Sequence, residues 1–557
     1  MFARSSLFSW LTNGADGHRS IRPEMLLLCA VFAGCLAILP YVVHTFHPAY
    51  QGLTVSRDKD YANYFSRLER ALKGHPEEAS NGITPIGSGV KGMQEAGMER
   101  IIGAFFGWTK LDAPPLGVIV SALVTVLLFL LFFALFRELA FPPRWALSMM
   151  LLYFVILFPS LSRVMHPSWN FVFMVGGLIS FLRYWKRPTL TTLLLSILLL
   201  GVLPSLYFWS WTYAWATAGS IALLSLFSAP EHNILRRHPP FVFALGIGVL
   251  LVATPFFVQT ARLFGNPLYP EVAIRASFLY RRTVESPIRT TLLLVQSVAL
   301  LSLFRRYRTD RSYIACLGML LGIVIAMHQN VIHTRVLMFA SHFYPHLLLS
   351  TLVCGAWVLL QNVPKIQKAM VALIAATFLA AGAYDYLSLN SFFVPTAFDF
   401  RDQHLAGAVA LLQNGKRDTI LSDAITGRVI TSWTDDGIVY TSHTRFLFVT
   451  DAQMAERYCV SQLPAPTVDP YKALYIEYNR VLDSPQMRER EKALVDEACA
   501  RVKTDPIGYM RKYGVTHVLW NRKDKPDWKV NAQAWRLAPV GQGSGWTLWT
   551  TDSTVQP

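Results

Sequence analysis

Residues 115–136 read PLGVIVSALVTVLLFLLFFALF, running from Pro115 to Phe136 without one charged side chain before Arg137. About 20 apolar residues cross a bilayer core as a helix, because there the backbone must satisfy its own hydrogen bonds. The pattern recurs near 24–45, 145–161, 169–184, 190–208, 210–228, 240–260, 289–304, 312–328, 343–361 and 367–388. Of 557 residues, 53% are hydrophobic and 15% charged, where a soluble chain carries about 25% charged residues. The mean hydropathy is +0.34. The expected fold is an α-helical polytopic membrane protein with about 11 transmembrane helices.

After about residue 390 the pattern changes: long apolar runs stop, and Asp, Arg, Lys and turn residues become frequent. Residues 1–389 therefore read as a transmembrane domain and 390–557 as a water-soluble one, within the usual size of a domain. In the latter, 418–423 and 513–520 read as short strands and 481–503 as a charged helix. A C-terminal mixed α/β soluble domain is expected, either covering a cavity, choosing an acceptor or acting as a structural cap. It contains no Gly-rich phosphate loop or nucleophile motif.

The charge distribution sets the orientation. Arg4, Arg19 and Arg22 precede the first apolar run, and no small-x-small cleavage site follows it. It reads as an uncleaved first span. With the N-terminus in the cytoplasm, the cytoplasmic loops carry Arg137 and Arg144, then Arg183, Lys186 and Arg187, then Arg236 and Arg237. Arg305, Arg306, Arg308 and Arg311 follow, then Lys365 and Lys368. The opposite short loops are poor in Lys and Arg, as the positive-inside rule requires. The long loop 46–113 and the domain 390–557 then lie outside, which in a bacterial inner membrane means the periplasm. One outer loop, 262–289, breaks the rule with Arg262, Arg275, Arg281, Arg282 and Arg289. It has three readings: a miscounted span, anchoring to lipid headgroups, or contact with an anionic ligand. Cys459 and Cys499 fall in this oxidising space, where they are able to pair. Cys29, Cys35, Cys316 and Cys354 lie in spans and read as packing residues.

Four polar groups gather on the outer side. Asp58 and Asp60 precede Tyr61, Tyr64, Phe65, Leu68 and Leu72, whose spacing fits a helix lying along a surface. The two carboxylates either cap that helix, where its dipole favours negative charge, or act as a general base or metal ligands. Glu95 and Glu99 either add a carboxylate to the same site or form a solvated turn with a Glu99–Arg100 surface pair. Arg163 and His166 begin a later span, where an arginine either meets a phosphate bidentately or snorkels to headgroups. His328, His333, Arg335, His342 and His346 end one span and begin the next. Polar residues there are costly unless they face a cavity, and the histidine spacings match no compact zinc motif. The aromatic run Tyr207, Phe208, Trp209, Trp211, Tyr213 and Trp215 reads as an interfacial belt or a sugar-stacking surface.

Together these motifs resemble the GT-C glycosyltransferases, polytopic enzymes that use polyprenyl-phosphate-linked sugars outside the membrane. Asp60-Tyr61-Ala62-Asn63-Tyr64-Phe65-Ser66-Arg67-Leu68-Glu69-Arg70-Ala71-Leu72-Lys73-Gly74-His75 is similar to their first outer-loop motif. Arg163 to Phe171 resembles their Arg-x-x-x-Pro-x-x-Asn-Phe signature. The His328–His346 region and Tyr513-Gly514-Val515-Thr516-His517-Val518-Leu519 resemble a later outer loop and a C-terminal strand. The family pattern has a second acid directly after the aspartate; this chain has Tyr61 there, and Asp58 stands two residues before Asp60.

The resemblance implies an inverting transfer of a sugar to a glycan, lipid or protein acceptor in cell-envelope assembly or modification. Asp60, with Asp58, would deprotonate the acceptor hydroxyl. Arg335, His342, Arg163, His166, Arg281 and Arg282 would bind the donor phosphate and lipid. A divalent cation, Mg or Mn, would use Asp58 and Asp60 if one binds. No nucleic-acid partner is expected. Two alternatives stand beside this: a lipid-linked glycan transporter or flippase, and a catalytically inactive envelope-assembly protein. Mid-span regions without charges favour the enzyme over the transporter; Tyr61 keeps the inactive protein open.

Overall fold

The computed structural model describes residues 21–54, 59–76, 97–161, 168–228, 233, 238–275, 287–333, 340–389, 400–441, 444, 447–465 and 485–551. In chain order the first helices are α1 (Pro23–Thr45), α2 (Lys59–Leu72), α3 (Gly97–Phe106), α4 (Ala113–Glu138), α5 (Pro143–Leu161), α6 (Ser168–Lys186) and α7 (Leu190–Val202). Then come α8 (Phe208–Leu226), α9 (Pro239–Phe264), α10 (Tyr269–Arg275), α11 (Pro287–Leu301), α12 (Phe304–Tyr307), α13 (Arg311–His333), α14 (Tyr344–Leu360) and α15 (Lys365–Leu389). Each of the eleven apolar stretches is therefore helical. Among the described residues four helices are long and apolar enough to cross a membrane: α1, α4, α9 and α13, the last over Arg311–Gln329. The chain is thus a mostly helical, membrane-associated protein with a small C-terminal sheet.

Two compact units are present. One comprises Met1–Pro40, Ile119–Gln259 and Tyr280–Phe393; the other comprises Tyr41–Val118, Thr260–Leu279 and Val394–Pro557. The division does not fall at residue 389, because the segments 41–118 and 260–279 fold with the C-terminal residues.

In the first unit α8 and α13 pack closely against each other. Gly318 and Gly322, one turn apart on α13, leave room for Ile221 and Thr217, one turn apart on α8. A Cβ on Gly322 would sit 2.7 Å from the Thr217 Cα. Small residues four apart let membrane helices approach closely where lipid supplies no hydrophobic drive. At one end, Glu138 of α4 is held by Arg183 Nε (2.6 Å) and Lys186 Nζ (3.1 Å) of α6.

The second unit is built on a five-stranded sheet of order β2-β1-β3-β5-β4, with β1 (Thr419–Leu421), β2 (Gly437–Ile438), β3 (His517–Asn521), β4 (Leu537–Gly543) and β5 (Trp546–Thr551). The first three strands run parallel and the last two are antiparallel. The helices of this region are α16 (Ala406–Leu412), α17 (Ala424–Trp433), α18 (Asp451–Ser461), α19 (Pro485–Thr504) and α20 (Pro506–Lys512). Asp423 caps α17 by accepting from the amides of Ile425 and Thr426, the usual role of Asp at that position. Gly514 ends α20 at φ 62°, a left-handed conformation that glycine adopts at no steric cost. The stretch 513–516, expected as strand, is this turn, and β3 starts at His517.

Leu53, in the segment after α1, is buried in the same cluster as Leu405, Ile420, Ile438, Leu519 and Trp546. Gln403 holds it there: its Oε1 accepts from the Gln51 and Leu53 amides (2.8 and 3.3 Å), and its Nε2 donates to the Leu53 carbonyl. Cys459 and Cys499 form a disulfide between α18 and α19. Cys316 and Cys354 are buried thiols in the first unit.

Candidate functional site

The acidic motif opens α2. Asp60 is the second residue of the helix, in the first turn; Asp58 lies outside the described residues. The expectation of a helix lying along a surface is overturned for the second half of α2. Phe65, Ser66, Arg67, Leu68, Glu69, Arg70 and Ala71 are all buried, and the helix packs against α3 and α17. Apolar periodicity located the helix but gave no place to Arg67, Glu69 and Arg70. Each of them instead has an internal partner, which is the condition for burying a charge.

Arg67 turns to α3. Its Nη2 lies 2.5 Å from Glu99 Oε1, with side chains 3% and 0% exposed, and its guanidinium sits 5.0 Å over the Tyr64 ring. One turn on, Gly103 of α3 meets Ala71 so closely that a Cβ there would lie 2.7 Å from the Ala71 carbonyl oxygen. The surface pair Glu99–Arg100 is therefore corrected. Adjacent helical residues point in different directions; Glu99 faces inward to Arg67, and the exposed Arg100 donates to the Pro76 carbonyl (3.3 Å).

Glu69 turns to the start of α4. Its Oε2 accepts the Ala113 amide (2.6 Å), and Lys73 Nζ lies 3.3 Å from its other oxygen and 3.4 Å from Asp112. A carboxylate thus caps a 26-residue helix from a neighbouring element. Burial nevertheless pushes the Glu69 carboxyl up to about 7, with Lys73 and the Ala113 amide pulling it back.

Arg70 and His75 turn to the loop before β2. Arg70 Nη2 donates to the Asp436 carbonyl (3.4 Å), and His75 Nε2 lies 3.4 Å from Asp435 Oδ2. Burial also raises the Asp436 carboxyl to about 7, although it accepts the Asp418 amide (2.9 Å).

The loop 262–289 shows where one of its arginines goes. Arg275 is buried, with Nη1 on Asp451 Oδ1 (2.8 Å) and Nη2 donating to the Leu447 and Val449 carbonyls (2.8 and 2.7 Å). Glu271 accepts the Asp451 amide in return (2.8 Å). Arg275 is thus a structural tie, and the ligand reading does not extend to it.

In the first unit, polar groups meet where α8 and α14 begin and α13 ends. Tyr207 OH lies 2.5 Å from His342 Nδ1, and the Trp209 ring centroid is 4.3 Å from the His342 ring. His346 is buried against Phe171 and Tyr213, with Ser210 Oγ 3.4 Å from its Nε2. His328 pairs with Thr290 (3.2 Å), and Arg289 stacks on Tyr344 (5.1 Å). Glu95, Arg163, His166, Arg281, Arg282 and Arg335 lie outside the described residues. Among the described residues no three His, Cys, Asp or Glu side chains are grouped to hold a metal ion.

Sequence reasoning missed the mounting role of Arg67, Glu69 and Arg70, and it missed Tyr207 as the partner of His342. Glu69 and Lys73, four apart, were a readable helical pair; the other contacts join distant segments. No family model and no curated protein matches this chain.

Proposed function

We propose that this protein transfers a sugar from a polyprenyl-phosphate-linked donor to an acceptor on the outer side of a bacterial inner membrane. All eleven apolar helices act as spans, with the N-terminus inside. Asp60, assisted by Asp58, takes the proton from the acceptor hydroxyl, which requires hydrogen-bond reach in the loaded enzyme. The departing polyprenyl phosphate gains negative charge as the glycosidic bond breaks, so it needs donors and cations aimed at it. Arg335, His342, Arg163, His166, Arg281 and Arg282 take that role. A divalent cation bound by Asp58 and Asp60 would supply further positive charge.

The observation that supports this reading is the mount of α2. The helix that begins with the acidic motif is fixed through Arg67, Glu69 and Arg70 to three different segments. A catalytic base needs such support to hold its geometry, whereas a headgroup-floating helix does not. The test uses the purified protein in nanodiscs with radiolabelled undecaprenyl-phosphate sugars and an envelope extract as acceptor. Asp60→Asn is expected to cut transfer by about 100-fold or more, the usual contribution of a general base. Full transfer by the folded Asp60→Asn protein would refute the assignment.

A further inference from the structure

Buried indole N–H groups find acceptors as a rule, and in the membrane unit most do. Trp169 donates to Ser121 Oγ (3.2 Å), Trp215 to the Leu200 carbonyl (2.9 Å) and Trp357 to Asp310 Oδ2 (3.3 Å). Trp209 and Trp211 do not: their indole nitrogens are buried with no hydrogen-bond partner among the described residues. Their surroundings differ. Trp211 has the rings of Phe208, Trp215 and Phe256 beside it. Trp209 stacks beside His342 (4.3 Å) and Tyr207 (4.9 Å), and Tyr207 in turn bonds the imidazole.

We propose that Trp209, His342 and Tyr207 form a sugar subsite, in which the Trp209 indole N–H donates to a hydroxyl of a lipid-linked sugar headgroup. The proposal rests on the transferase reading above and adds the part of the donor that these residues meet. The chemistry of Trp209 and Tyr207 favours a sugar over a bare phosphate. A phosphate calls for guanidinium or ammonium groups, whereas Trp209 and Tyr207 offer aromatic surface with indole and hydroxyl donors, and His342 stands where the sugar meets the donor phosphate. Aromatic surface covers the C–H faces of a pyranose or furanose ring, and N–H and O–H groups meet its hydroxyls. Tyr207 is the positioning residue. It precedes α8 as its N-cap, is buried, and fixes the imidazole through Nδ1, as a partner on one ring nitrogen orients a histidine for work at the other.

Binding to the full-length protein in nanodiscs tests this. The probes are undecaprenyl phosphate and undecaprenyl phosphoryl-glucose, -mannose and -arabinose, followed by native mass spectrometry. Wild type should bind one of the sugar lipids more tightly than the bare phosphate. Trp209→Phe keeps the ring and removes the donor. It should weaken that sugar lipid about three- to tenfold, the worth of one net hydrogen bond, and leave undecaprenyl phosphate unchanged. Tyr207→Phe should likewise weaken the sugar lipid more than undecaprenyl phosphate, and it serves as the second variant if Trp209→Phe misfolds. Equal binding of all four lipids by wild type overturns the subsite. So does an equal shift for sugar and bare lipids in Trp209→Phe, which is the signature of an interfacial anchor. Failure of wild type to bind any of the four would instead sink the transferase reading itself.

Discussion

Arg67 of α2 and Glu99 of α3 form a buried ion pair, Nη2 to Oε1 2.5 Å, with exposures of 3% and 0%. They are far apart in sequence and carry the acidic motif's helix into the interior of its unit. The same helix spends Glu69 on the amide that opens α4 and Arg70 on the carbonyl before β2. Its charges thus act as fasteners rather than as a solvated face.

Breaking such a pair strands one charge in the interior, while replacing both partners removes the problem. Glu99→Leu or Arg67→Met alone should destabilise the second unit by about 3–5 kcal/mol, and the double change Arg67→Met with Glu99→Leu should cost far less, being near neutral. A double-mutant cycle on thermal unfolding in detergent checks this. Additive single and double effects would show that the two residues are not coupled.

The mount also titrates. Burial raises the carboxyls of Glu69, from 4.5, and Asp436, from 3.8, to about 7. Both folded-state values exceed the unfolded ones, so the folded unit holds protons that the unfolded chain has released. That stabilisation is complete below about pH 4 and is lost as pH rises through about 7. The shifts correspond to about 3–4 kcal/mol per group. Hydrogen exchange of 64–75, corrected for intrinsic rates, should be slower at pH 6 than at pH 8. Glu69→Gln and Asp436→Asn should each flatten the difference. An unchanged pH dependence in both variants would remove these carboxyls as its source.

How much was legible follows from which forces are local. Eleven apolar stretches announced eleven helices, because composition over a window of that length is decided residue by residue. The α2 helix was readable from Tyr64, Phe65, Leu68 and Leu72. Its burial was not, since nothing near Arg67 says that Glu99 will meet it. Leu53 and Gln403 are likewise too distant in sequence for any pattern to join them. The hairpin of β4 and β5 escaped because Pro539, Gly541 and Gly543 weaken the strand pattern, although Trp546–Thr551 is rich in strand formers. At the candidate site the polar motifs were visible as groups. Tyr207 was not singled out, because an aromatic belt and a histidine's partner look the same in sequence.

The α8–α13 contact separates backbone from side-chain limits. A Cβ at Gly322 would meet Thr217 Oγ1 at 2.3 Å, but also its backbone Cα at 2.7 Å and N at 2.8 Å. At Gly318 the nearest atom is Ile221 Cγ1 at 2.3 Å, with the backbone nitrogen back at 3.2 Å. A side chain trims or rotates; a packed helix backbone has to move as a body, and overpacking of that kind costs about 1–3 kcal/mol or more. Gly322→Ala should therefore lower stability more than Gly318→Ala. Ile221→Ala should restore much of the loss in the Gly318→Ala background, because it removes the clashing atom. Thr217→Ala should not rescue Gly322→Ala, because the backbone clash remains. Unfolding of the four variants and two double variants in mixed detergent micelles gives the comparison. Equal rescue at both positions would mean that the two helices separate readily, and that the glycines set no limit on their approach.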